Sequence, residues 1–223
     1  GTDHVSVSFT TNAPLAPLTS YLSLAAAGVA VSLRPWRGVG PAGPPWPWFA
    51  LTCVMPVLWA LDRHTTMHLV PTLSGASLLA LMAGWPLAVL ALLPVALSAA
   101  VAGPLDAAEA LHRLFWLGVA PATGTLLIGA ALRRWLPRHL FVYILGRGFF
   151  GTFAIVLAAS GGASLGRELP AGVAAADLFI AHVLSAFGEA FLTGMFTAIL
   201  VAFRPQWLAT YADRLYLPPA PNP

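Results

Sequence analysis

The chain has 223 residues, of which 58% are hydrophobic and 9% charged. Soluble folds of this length do not carry that balance, and apolar runs of roughly 20 residues each suit membrane-spanning helices. The length accommodates one membrane domain and no second soluble one. The net charge is +3, and all 11 basic residues are Arg. They sit at the ends of apolar runs, where they act as topology signals, and not as the basic stripe of a nucleic-acid binder. A single cysteine, Cys53, excludes a disulfide framework, a CxxC metal site and a c-type haem attachment.

In chain order the sequence predicts an all-α, polytopic membrane protein with about seven transmembrane helices. An N-terminal segment, 1–16, precedes the transmembrane domain, 17–203, and an amphipathic tail, 204–223, follows it. The first apolar run, about 17–33, reads as a retained span and not as a removed signal peptide. Within it Ala26 and Ala30, four apart among Ala25, Ala27 and Gly28, form a small-residue face that admits another helix, from this chain or a docking partner. A Gly/Pro-rich turn leads to a second span at about 47–61, with Trp46 and Trp48 as an aromatic belt. The polar link Asp62-Arg63-His64-Thr65-Thr66-Met67-His68 precedes a third span, about 69–83, stopped at Gly84-Trp85-Pro86. The fourth span is about 87–102. A polar loop carrying Asp106, Glu109, His112 and Arg113 leads to the fifth, about 115–132. The sixth is about 140–159, the seventh about 176–203, and a Gly-rich loop with Arg167 and Glu168 lies between them.

Alternate loops hold seven Arg residues against three, with Arg147 left inside a span. The positive-inside rule then places the N-terminus outside and the C-terminus in the cytoplasm, as in a multi-pass protein of a bacterial inner membrane. His4, His64, His68 and His112 would lie on or near the outer face. The tail pattern of Trp207, Leu208, Tyr211 and Leu215 suits an amphipathic segment on the inner surface, or one that docks a cytoplasmic partner.

The outer link carries the strongest chemical pattern. If the third helix starts early, His64 and His68 are i and i+4 on one face, a spacing that lets two imidazoles share a transition-metal ion. Met67 adds a soft thioether suited to copper, and Asp62 is either a further ligand or a partner that orients a His. His4 lies on the same side. If the chain began at Thr2, Thr2-Asp3-His4 would match the square-planar amine-amide-imidazole site that Cu(II) and Ni(II) favour. The residues therefore suggest a transition-metal site, with donors suited to copper or nickel, alongside a plainer reading as interfacial histidines.

Two ionisable residues, Arg147 and Glu189, lie deep in spans, and His182 is a third intramembrane polar residue. His182 precedes Glu189 by two turns on one face. They are read either as a polar clamp between helices or as a proton or ion path. They are also the only candidate acid/base set, and the chain is not expected to be an enzyme.

The segment His68–Leu87 (HLVPTLSGASLLALMAGWPL), the stretch PRHLFVYILGRGFFG and the end GEAFLTGMFTAILVAFRPQWLATY occur in an order that resembles the CbiM-type membrane permeases. These are the substrate-capturing components of energy-coupling-factor transporters. The resemblance runs over about residues 45–215 and points to a divergent bacterial branch. It implies a compact seven-helix membrane protein that takes up Ni(II) or Co(II) and works with a coupling membrane protein and ATPase subunits. In that family the metal is held by the N-terminal amine, a His at position two and a His near the start of the broken helix. Here His4 is the only N-terminal His, and Thr72 stands where the later His is expected, one turn after His68. The chain has no GxxxxGK[ST] loop, so active transport would need a partner ATPase or an ion gradient. The competing expectation is a non-transporting subunit of a larger respiratory or photosynthetic complex.

Overall fold

The structure, a computed structural model, describes residues 16–37, 45–64, 72–165, 167, 169, 173–212 and 216. Among them the chain is helical throughout. In chain order the helices are α1 (Ala16–Ser32), α2 (Trp46–Ala60), α3 (Ala76–Ala83), α4 (Trp85–Ala102), α5 (Ala107–Trp135), α6 (Val142–Ser164) and α7 (Ala175–Phe203). Four of them, α4 to α7, are long and apolar enough to cross a membrane, with mean hydropathy of 1.6 to 2.1 over their best windows.

The bundle is apolar on its outside as well as inside. Leu97, Val101, Leu127, Phe150, Phe179, Leu184 and Phe203 are all exposed, and only about a third of the best window of α7 is buried. Water would not tolerate so continuous an apolar surface, whereas hydrocarbon solvates it without cost. Pairing is local: α2 and α1 lie against α4, and α6 lies along α7.

The helix α3 is the centre of the fold. It has only eight residues, and seven of them, from Ala76 to Met82, are buried. A helix this short is marginal on its own, so its surroundings must satisfy both ends. At its start Gly75 takes a left-handed φ of 70°, which turns the extended Thr72–Ser74 segment into the helix. At its end Gly84 takes φ 79° and hands the chain directly to α4. The last carbonyls are covered from far along the sequence. Ala209 N–H donates to Met82 O at 3.0 Å, and Thr210 donates through Oγ1 to Leu81 O at 3.0 Å.

That contact revises the expected surface tail. After a turn at Pro205–Trp207 the chain folds back into the core, and Leu208, Tyr211 and Tyr216 are buried. Tyr143 lies tilted against the stacked rings of Tyr211 and Tyr216, with its hydroxyl 2.8 Å from Thr210 Oγ1. Trp46 is exposed but packs edge-on against Trp207 at 6.2 Å, while Trp48 is buried.

Two spans also differ from the sequence expectation in their limits. Within the expected third span, 69–83, the described helix is Ala76–Ala83, because the backbone before it runs extended to reach Gly75. The fifth begins two turns before residue 115, and the stretch Ala107–Arg113, expected as loop, is helical. Asp106 caps it, with Oδ1 accepting from Glu109 N–H at 2.7 Å, and Glu109 pairs with Arg113 one turn on. Those local contacts let a polar sequence open an apolar helix. Ala30 is fully buried and Ala26 packs half-buried against the core, so in this chain the small-residue face of α1 turns inward.

Candidate functional site: a polar cavity beside the broken helix

A cavity of about 180 Å³ lies between the start of α5, the end of α6 and the entry to α3. Its upper wall carries Asp62, Glu109, His112, Arg113 and Arg167, and Thr72 and Ser74 line it where the chain approaches α3. Trp116, Pro121 and Val156 make its deeper, apolar part.

The charges on the upper wall form one connected network. Arg113 meets Asp62 through two parallel bonds, Nη1 to Oδ1 at 2.8 Å and Nη2 to Oδ2 at 2.7 Å. Its Nε donates to Glu109 Oε1 at 2.9 Å, and Nη1 also donates to the carbonyl of Trp59. Arg167 closes the chain on the other oxygen of Glu109 at 2.5 Å. Among the described residues two carboxylates and two guanidiniums balance, so this part of the cavity wall is polar but formally neutral. Paired, bidentate contacts of this kind fix side chains that would otherwise be costly to bury. His112 also lines the cavity, its ring tilted 6.4 Å from that of Trp116.

Ser74 connects the cavity to the interior. Its Oγ donates to Leu117 O at 2.6 Å and accepts from Ala76 N–H at 3.1 Å, while its carbonyl accepts from the Trp59 indole at 3.0 Å. Leu117 lies in a widened π-type stretch of α5, Leu114–Val119, and such irregular turns recur at functional positions in helices. Behind Ser74 is Glu189, which is 3% exposed. Its Oε2 accepts from Ser74 N–H at 2.7 Å and its Oε1 from Gly75 N–H at 3.0 Å. A carboxylate at a helix start satisfies orphan donors and favours the positive end of the helix dipole. Glu189 therefore acts as the cap that α3 does not have locally.

The three intramembrane ionisable residues do not form one cluster. Glu189 holds α3. His182 Nε2 lies 3.4 Å from Ser164 Oγ, where the end of α6 meets the first turns of α7. Arg147 is 4% exposed and sits 5.9 Å over the Tyr143 ring. Its Nε and Nη1 have no hydrogen-bond partner among the described residues. A cation–π contact contributes about 0.5–2 kcal/mol, set against at least ~2.5 kcal/mol to place Arg in hydrocarbon.

Of the residues singled out for metal binding, His4, Met67 and His68 lie outside the described residues. Asp62 is in the cavity wall, with both carboxylate oxygens taken up by Arg113. His64 Nε2 lies 2.9 Å from the carbonyl of Ala102, which leaves Nδ1 as its other ring nitrogen. Among the described residues no group of three His, Cys, Asp or Glu is placed to hold a metal ion. His64 and Thr72 are the described ends of the link that carries Met67 and His68, and Thr72 opens onto the cavity.

The site residues that sequence reasoning passed over are Glu109, Arg113 and Arg167. Their signal was available in part: Asp106-x-x-Glu109 is a capping pattern and Glu109-Arg113 an i,i+4 pair. Asp62 and Arg167 are separated from them by many residues and meet them only through folding. No known protein family matches this chain, and neither does any curated protein or solved structure.

Proposed function

We propose that this chain is the substrate-capturing component of a membrane uptake system, taking a divalent transition-metal ion of the Ni(II), Co(II) or Cu(II) kind from the outer face. The observation that carries this reading is the cavity at the broken helix. It is polar, the charges of its described residues balance, and Thr72, the first described residue after the Met67/His68 link, lines it. In membrane transporters, sites form where a helix is interrupted and irregular backbone lines a cavity. The neutral balance of Asp62, Glu109, Arg113 and Arg167 suits a wall that orients a ligand set without itself trapping the ion. His112, in the cavity wall, and His64, at the described end of the link, would be imidazole donors together with His68. On the proposed orientation the Arg-rich turns face the cytoplasm. A partner would couple capture to ATP hydrolysis or an ion gradient.

One observation favours a second reading, a non-transporting subunit of a larger membrane complex. Both carboxylates of the cavity wall are already engaged by guanidiniums, an arrangement that serves rigidity as well as capture. Elemental analysis of detergent-purified protein, after loading with nickel, cobalt, copper or zinc, separates the two. Near-stoichiometric metal that is lost in a His64→Ala/His68→Ala double variant supports capture and names the ion. Absence of metal from the wild type under all four loadings refutes it and leaves the structural subunit.

A further inference from the structure

At the opposite end of α6 from the cavity, a narrow cleft is lined by Gly129, Arg133, Arg138, Tyr143, Arg147 and Tyr216. No Asp or Glu lines it among the described residues. Arg147 forms its floor, buried, with Nε and Nη1 lacking an acceptor among the described residues. The guanidinium lies flat against Gly129, where a Cβ would overlap it. The Tyr143 hydroxyl is engaged with Thr210. Arg133 and Arg138 are exposed at the mouth.

We infer that this cleft is a binding site for a phosphate group, presented by an anionic lipid headgroup or as free phosphate. Three guanidiniums, with no acid among the described residues that line the cleft, form a donor set suited to phosphate oxygens, since charge-assisted bonds from guanidinium N–H groups to phosphate are strong. The enclosed space is about 10 Å³, room for a single oxygen atom. A ligand must therefore project one oxygen onto Arg147 while its bulk rests outside, between Arg133 and Arg138. A phosphodiester does this. Arg147 lies five residues into α6, about 7 Å from the helix start, and Arg133 and Arg134 end α5 beside it. Basic pockets between spans, near one end of the bundle, bind lipid headgroups in this way.

The test is thermal stability of the purified full chain in a neutral detergent, with phosphatidylglycerol, with a neutral glycolipid of the same acyl chains, or with inorganic phosphate at matched ionic strength. Phosphatidylglycerol is expected to raise the Tm of the wild type by about 5–10 °C near saturation, and the glycolipid to leave it unchanged. The shift is expected to disappear in Arg147→Met and to weaken in Arg133→Gln/Arg138→Gln, whose surface changes do not touch the core. A comparable shift with inorganic phosphate alone supports the same site and identifies free phosphate as sufficient. The inference is overturned if neither phosphate source shifts the wild type, if the glycolipid shifts it equally, or if the Arg133→Gln/Arg138→Gln variant responds as the wild type does. That last arm holds even where Arg147→Met fails to fold.

Discussion

Glu189 holds the start of α3 from a helix more than a hundred residues away, and removing its carboxylate should loosen that helix before anything else. In Glu189→Leu both N–H groups that it accepts, from Ser74 and Gly75, lose their partner inside the bundle. A buried donor left unsatisfied costs about 1–3 kcal/mol, so two cost about 2–6 kcal/mol. Removing the carboxylate also removes its own burial cost, which brings the expected net loss to about 3 kcal/mol. For a chain of this length that corresponds to a fall in Tm of about 6–12 °C. Glu189→Gln keeps one acceptor but turns an NH₂ toward the second N–H, and should lose about half as much. The assay is the fraction of monodisperse protein after heating, with hydrogen exchange to locate the damage. Exchange should rise in residues 74–83 and stay unchanged in α5 beyond Thr125. A Glu189→Leu protein with a Tm within a degree or two of the wild type, or with exchange rising evenly through the bundle, would refute the capping role.

The charge network makes an ordered prediction. Arg113→Met should destabilise by about 2–3 kcal/mol, since it removes the two-bond partner of Asp62 and one of the two guanidiniums on Glu109, whereas Asp62→Asn should cost under about 1 kcal/mol because that carboxylate is partly exposed; equal losses in unfolding midpoint for the two variants would contradict this order. Tyr143→Phe removes the bond to Thr210 and should cost about 0.5–1.5 kcal/mol, read as faster proteolysis near residues 209–216. Gly162→Ala would place a Cβ against the rigid ring of Trp116, which lines the cavity, and should cost about 1–3 kcal/mol in thermal stability.

Much of the architecture follows from the sequence through local physics. Apolar run length sets spans, so α4 and α7 begin and end within two residues of their expected limits. The break at Gly84-Trp85-Pro86 is legible for the same reason: Gly supplies the positive φ and Pro suits the first turn of the next helix. The start of α5 was harder to read because polar composition suggests a loop, while a capping pattern and an i,i+4 pair make it helical. The metal-ligand pattern rests on spacing alone, and Met67 and His68, which carry it, lie outside the described residues.

By itself, then, the sequence determined the solvent, the helical class, the approximate spans and the buried ionisable residues, because each depends on composition or on neighbours a few positions apart. Only the tertiary structure decided what those residues do. It turned Glu189 to the start of α3 and not to Arg147, brought Asp62 and Arg167 to Arg113 and Glu109, and folded Thr210 back onto Leu81. Each of these joins groups separated by about 50 to 130 positions. A buried polar group takes whichever partner the packing of apolar surfaces brings within reach, and the spacing of residues along the chain carries no record of that choice.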